Sequence, residues 1–224
     1  MKSNHRMPVL ITSFLLVSLL LNGQVKSPVL SGKEKASLFN KQIEMRNSSA
    51  YKDLKWQYIG PTNISGRCTD VEAISPRGGS YTIWVGSATG GVWKSVNEGT
   101  TFEPVSDSIA TASIGDIAID PTNPDVVWVG SGEANIFRSS NAGCGVYKTT
   151  DGGKTWTRVL FEDAGSGAVD LTFDPSNPRI LYASTWTMRR TPYSFSSGGA
   201  GCKLFKSTDN GETWKEISTN NSKK

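Results

Sequence analysis

Histidine is almost missing from these 224 residues: His5 is the only one. It lies in a stretch that reads as an export signal. Lys2 and Arg6 form a positive start, and Val9–Leu21 is an apolar run too short for a comfortable membrane span. Cleavage is expected at Gly23-Gln24, which predicts a secreted or periplasmic mature protein, a retained N-terminal anchor being the alternative. Removing His5 excludes a Ser-His-Asp triad, a Cys-His pair and a His-ligated metal, so neither metal nor cofactor is expected. Losing Lys2 and Arg6 takes the formal charge from +4 to +2, a balance that points to no nucleic-acid partner. No later run is apolar enough to cross a bilayer. Cysteine is scarce and odd in number: Cys68, Cys144 and Cys202. Cys144 and Cys202 fall at equivalent repeat positions, which neighbouring repeat units hold further apart than the ~7 Å limit of a disulfide. Small buried thiols are the expectation.

Glycine and turn residues, in contrast, recur in a pattern. Tyr147–Val159 reads as strand, tight turn, strand, because Asp151-Gly152-Gly153 supplies a capping side chain and residues that accept positive φ. The same shape returns over Phe205–Ile217 and, degraded, over Trp93–Val105. The central glycines Gly99, Gly153 and Gly211 lie 54 and 58 residues apart. A repeat of about 40–50 residues holding several strands is the signature of a propeller blade.

The S/T-x-D-x-G-x-T-W shape resembles the Asp-box (BNR) repeat of sialidase-type β-propellers. The longer context is similar to sortilin (Vps10)-like and xyloglucanase-like propellers, over about residues 55–217. The resemblance implies an all-β fold of four-stranded blades, with three blades present and the ring incomplete. It does not fix an activity, since one fold hosts many functions.

In order, residues 1–23 are the signal and 24–54 a polar lead-in, with a short helix expected over Glu34–Ile43. The strand at 55–59 looks like the last strand of a closing blade, because Trp56-x-x-Ile59 matches Trp156-x-x-Val159. Blades follow at about 66–105, 114–159 and 169–217. Their inner strands end in turns such as Asp120-Pro121 and Asp174-Pro175. An extra residue in the first copy predicts a bulge. Three blades cannot close a ring that needs about four to eight. Further blades of a longer chain or self-association are therefore expected, with poor solubility of the chain alone through its open edges.

The box residues Asn97, Gly99, Asp151, Gly153, Trp156, Asp209, Gly211 and Trp214 are read as structural: turn closure, permissive backbone and aromatic plugs between sheets. The resemblance puts them on the face away from an active site. The loops of the other face are the ligand candidates. They carry Glu133 and Arg138 in the second loop, and Trp186, Arg189 and Arg190 in the third, which is read as irregular. Asp70, Asp116 and Asp170 recur near the axis. Their repetition favours hydrogen bonding to the next blade over a catalytic pair, which needs two different environments. Arg67 is expected to hold an anion or to pair with Asp70.

Two departures weaken an enzyme reading. Xyloglucanase-like propellers carry an Asp before the paired glycines of the first tight loop, where this chain has Ser87-Ala88-Thr89-Gly90-Gly91. Neither the Arg-Ile-Pro motif of sialidases nor an assignable tyrosine nucleophile is present. The expected function is a binding module for peptide or carbohydrate. A glycoside hydrolase with blades elsewhere is the alternative, and an assembly factor like the photosystem-stability propellers a third, weaker one.

Overall fold

The computed structural model describes residues 32–54, 66–74, 79–135, 140–163 and 165–218. The expected export signal, the strand at 55–59 and Arg138 lie outside them. Helix α1 (Gly32–Ser48) is longer than the expected ten residues, and among its side chains Ala36 is buried. None of the described helices is long and apolar enough to cross a membrane.

Three antiparallel sheets follow. The first is β1 (Cys68–Ile74), β2 (Thr82–Ser87), β3 (Gly91–Ser95) and β4 (Glu103–Pro104), paired in sequence order. The second repeats that order with β5 (Ile114–Ile119), β6 (Val127–Ser131), β7 (Val146–Thr149) and β8 (Thr157–Leu160). The third holds β9 (Ser166–Asp174), β10 (Asn177–Thr191), β12 (Lys203–Ser207) and β13 (Lys215–Glu216), with β11 (Ser194–Ser197) added to the far end of β10. This is an incomplete propeller of four-stranded units.

The middle sheet is buried on both faces, so β6 reads as a continuous apolar run rather than an alternation. Ile117, Ile119, Val127 and Val129 pack with Trp84, Val92 and Trp156 between the first two sheets. Ala118, Trp128 and Val146 pack with Leu171, Leu181, Ala183 and Phe205 between the second and third. Trp156 and Trp214 are the plugs: Trp156 lies edge-on to Trp84 at 6.4 Å and donates its indole N–H to the Val105 carbonyl at 2.7 Å.

The turns between third and fourth strands are built alike. Thr149 Oγ1 accepts the Gly153 N–H at 2.9 Å and donates to Asp151 Oδ1 at 2.7 Å. Asp151 Oδ1 then accepts the Thr155 N–H at 2.9 Å, and Oδ2 its hydroxyl at 2.6 Å. Ser207, Asp209, Gly211 and Thr213 repeat the scheme, as do Ser95, Asn97, Gly99 and Thr101. Gly153 and Gly211 sit at φ of 92° and 75°, where a side chain is strained. They also lie against the tryptophan of the preceding sheet: a Cβ at Gly153 would meet Trp84 at 3.1 Å, and one at Gly211 would meet Trp128 at 2.1 Å.

The donors gathered around the two aspartates hold them well below the usual carboxylate range, Asp209 at about 2, through the Thr155 or Thr213 hydroxyl first and then the amide. Folded values below the unfolded ~3.9 mean the contribution is present above pH ~4 and is lost as pH falls towards 2. Asn97 makes the same amide bond without a charge, so Asp209→Asn is expected to keep the fold. The variant should lose stability less steeply than the parent between pH 5 and pH 2.5, read as urea midpoints.

The ladder shifts register just before the repeated aspartate in all three sheets, at Cys68/Asp70, Ile114/Asp116 and opposite Ser184/Thr185. The extra residue of the first copy falls between Asp70 and Pro76, where 70–74 pair in regular register and 75–78 lie outside the described residues. One sequence expectation needs correction. The third loop is not irregular: Trp186–Thr191 continues β10 and pairs with Ser194–Ser197 as a hairpin. None of the three cysteines is in a disulfide; Cys144 is buried, Cys202 half-buried and Cys68 exposed, so only Cys144 meets the expectation of full burial.

Candidate functional site

The inner strands place the repeated aspartates in a chain of cross-sheet bonds. Asp70 Oδ2 accepts the Ile117 N–H at 3.0 Å, and Asp116 Oδ2 accepts the Leu171 N–H at 2.5 Å. Each carboxylate therefore ties its sheet to the next inner strand. Asp170, the third copy, is exposed. Burial pushes Asp116 up to about 7, opposed by the Leu171 amide and reinforced by the nearby Asp70 carboxylate.

Arg67 precedes β1, and its partner is Glu133 rather than Asp70. Its Nε donates to Glu133 Oε1 at 2.9 Å and Nη2 donates to the same oxygen. Glu133 follows β6 and is fully buried, whereas the Arg67 side chain is 37% exposed. A buried carboxylate requires such a partner, because the charge has no water to solvate it. Glu133 Oε2 is buried with no hydrogen-bond partner among the described residues. Sequence separation of 66 residues hid this pair; the available signal was the single acid of the loop at 132–143.

The β10–β11 hairpin leans on the second loop. The Ser140 N–H donates to the Arg190 carbonyl at 3.2 Å, and Ser140 Oγ accepts the Arg190 N–H at 2.9 Å. Arg189 Nη1 donates to the Ser140 carbonyl, and Trp186 Nε1 to Ser197 Oγ at 3.0 Å. Trp186 and Arg189 are thus engaged within the fold. The Arg190 guanidinium lies 5.8 Å from the Phe195 ring, beside Tyr193, which is 98% exposed. The sequence places Tyr193 and Phe195 with Arg190 in the third loop, and the hairpin is what presents them.

One set of residues was missed. Lys94 and Lys148 stand cross-strand from Trp84 and Trp128, with Nζ 4.8 Å and 5.0 Å from the indole rings. Each donates to a carbonyl of the next sheet's turn: Gly152 at 3.0 Å and Asn210 at 2.9 Å. Their constant place, three residues before the turn Asn or Asp, was the available signal.

The model of the Sortilin-Vps10 family (sortilin, neurotensin receptor 3) matches residues 90–224, more than half of the chain. The chain belongs to the Sortilin-Vps10 family. A xyloglucanase of Acetivibrio thermocellus, Xgh74A, is 29% identical over 180 residues, covering 73% of this chain and 20% of the relative. The same-named protein of strain ATCC 27405 is 29% identical over 118 residues, covering 50% and 12%. This Sortilin-Vps10 chain therefore spans a fifth or less of these curated relatives. Among solved structures, the GH74 xyloglucanase from Xanthomonas campestris superposes with a TM-score of 0.45 at 18% identity, covering 61% of this chain and 20% of that one.

Proposed function

We propose that the chain is part of a secreted or periplasmic propeller that binds a peptide or glycan on the face bearing Arg67, Glu133 and the β10–β11 hairpin. The observation that carries this reading is the hairpin tip. Tyr193 and Phe195 are exposed beside the Arg190 guanidinium on a strand anchored to the neighbouring loop. Flat aromatic rings with an adjacent fork of N–H donors suit sugar faces, carboxylates and peptide backbones. Titration of the protein with xyloglucan oligosaccharides and with a mixed peptide library is expected to give saturable binding. The double variant Tyr193→Ala/Phe195→Ala should weaken it about tenfold or more. Binding unchanged by that variant would remove the hairpin from the reading.

A second reading, a glycoside hydrolase, is favoured by the Asp70–Asp116 pair, since a carboxyl raised to about 7 is in the range of a general acid. Against it, Asp70 and Asp116 each hold a backbone amide of the neighbouring sheet, and Ala88, at the position where xyloglucanase-like propellers carry an Asp, is buried. Turnover of xyloglucan or of sialylated substrates that Asp116→Asn abolishes, with the fold intact, would favour the hydrolase.

A further inference from the structure

The two contacts between successive sheets follow one plan and differ in charge at one place. In both, a lysine beside a tryptophan donates to the backbone of the next sheet's turn, Lys94 to Gly152 and Lys148 to Asn210. In the second contact the ammonium also meets a carboxylate. Lys148 Nζ donates to Glu212 Oε1, and Glu212 stands three residues after the turn aspartate Asp209. Three residues after Asp151, in the first contact, stands Lys154. Where Lys148 has a carboxylate, Lys94 has a second cation nearby.

A cavity of about 470 Å³ lies at this point, within the size range of small-molecule sites. Three cations line it: Lys94 from β3, Lys154 from the second turn and Arg46 from the last turn of α1. Two acids, Glu103 and Asp107, line it as well. Among the described residues none of these charged side chains is in an ion pair. Glu103 stands directly opposite Lys94 in the β3–β4 ladder, a position from which charged side chains normally pair. Lys94 turns instead to the Gly152 carbonyl at 3.0 Å. Burial holds its ammonium below the usual lysine range. Asp125 and Asp151, neither of them on the cavity wall, oppose this shift, and Lys154 adds to it.

Two neighbouring cations favour a bound anion, and the Glu212 carboxylate on Lys148 is the form that fits the same plan. The acids of the cavity supply acceptors for a cation. Opposite charges held apart around one space are both met by a molecule that carries both.

We propose that this cavity binds a small zwitterion, an amino acid or a short peptide. Its carboxylate sits on Lys94 and Lys154, as Glu212 sits on Lys148, and its ammonium on Glu103 and Asp107. The site lies at the turn end of the sheets. Glu133 and the β10–β11 hairpin stand on the loops at the other end, so this site does not depend on the loop-face reading.

Calorimetric titration of the full protein with alanine and with dialanine tests this, the tighter binder naming the source. Saturable binding is expected from at least one. The N-acetyl form of that ligand lacks the ammonium and its amide lacks the carboxylate, and each should bind at least about tenfold more weakly. Lys154→Glu gives the first contact the acid that the second already has, so Lys94 is neutralised from within. That variant should fold, checked by near-ultraviolet circular dichroism, keep or raise its urea midpoint, and lose about tenfold or more in affinity. Glu103→Gln/Asp107→Asn should reduce the zwitterion to the affinity of its N-acetyl form. No binding of either ligand would overturn the proposal, as would binding untouched by Lys154→Glu. Inorganic phosphate bound as tightly as the zwitterion would also overturn it and assign the cavity to simple anions.

Discussion

Trp128→Ala is expected to lower the unfolding free energy by about 3–5 kcal/mol, the range for emptying a large aromatic site. Trp128 is fully buried and lies edge-on to Phe173 at 5.4 Å. It carries the Lys148 ammonium on one ring face, and the Gly211 backbone closes over its indole. Removing it opens a void between the second and third sheets and leaves Lys148 without its ring. Collapse is resisted on both sides, because β6 is held in its ladder by β5 and β7. The tenfold-per-1.4-kcal/mol scale makes this a loss that denaturant titration resolves easily. A change below about 1 kcal/mol would show that the two sheets do not pack as described.

The second large effect concerns the ion pair at the loop face. Arg67→Ala leaves the Glu133 carboxylate buried without a cation, and a loss of about 3 kcal/mol is expected, near the low end for a broken buried pair because Arg67 is partly exposed. Adding Glu133→Gln to the Arg67→Ala background should recover part of that loss, since an amide is cheaper to bury than an uncompensated charge. The double-mutant cycle in urea separates the two cases. If Arg67→Ala costs nothing, the guanidinium does not solvate Glu133, and the loop that carries Glu133 has another anchor.

Much of the architecture was legible in local sequence. The turns announce themselves because Ser/Thr, Asp/Asn and Gly must stand at fixed spacing for one hydroxyl and one carboxylate to satisfy the turn amides, as at Thr149, Asp151 and Gly153. The hairpin strands flanking them follow from the same local geometry. The recurrence of Asp70, Asp116 and Asp170 pointed to cross-sheet bonding, and the first two make it. The β10–β11 hairpin was less legible. Its Met188–Thr191 segment alternates weakly, and Arg189-Arg190 reads as loop until Ser140 is seen to anchor it.

Sequence by itself determined the fold class, the repeat, its turns and the identity of the inner strands, because each depends on contacts within a few residues or on a pattern that repeats. Only the tertiary structure decided which partner each charge takes. Arg67 meets Glu133 across 66 residues, and Lys94 and Lys148 reach carbonyls 58 and 62 residues on. Such pairings depend on how one sheet twists over the next, and no local spacing encodes that rotation. The same packing sets the Lys206 ammonium 5.3 Å from the Tyr182 ring in the third sheet, as it sets Lys94 and Lys148 on their tryptophans.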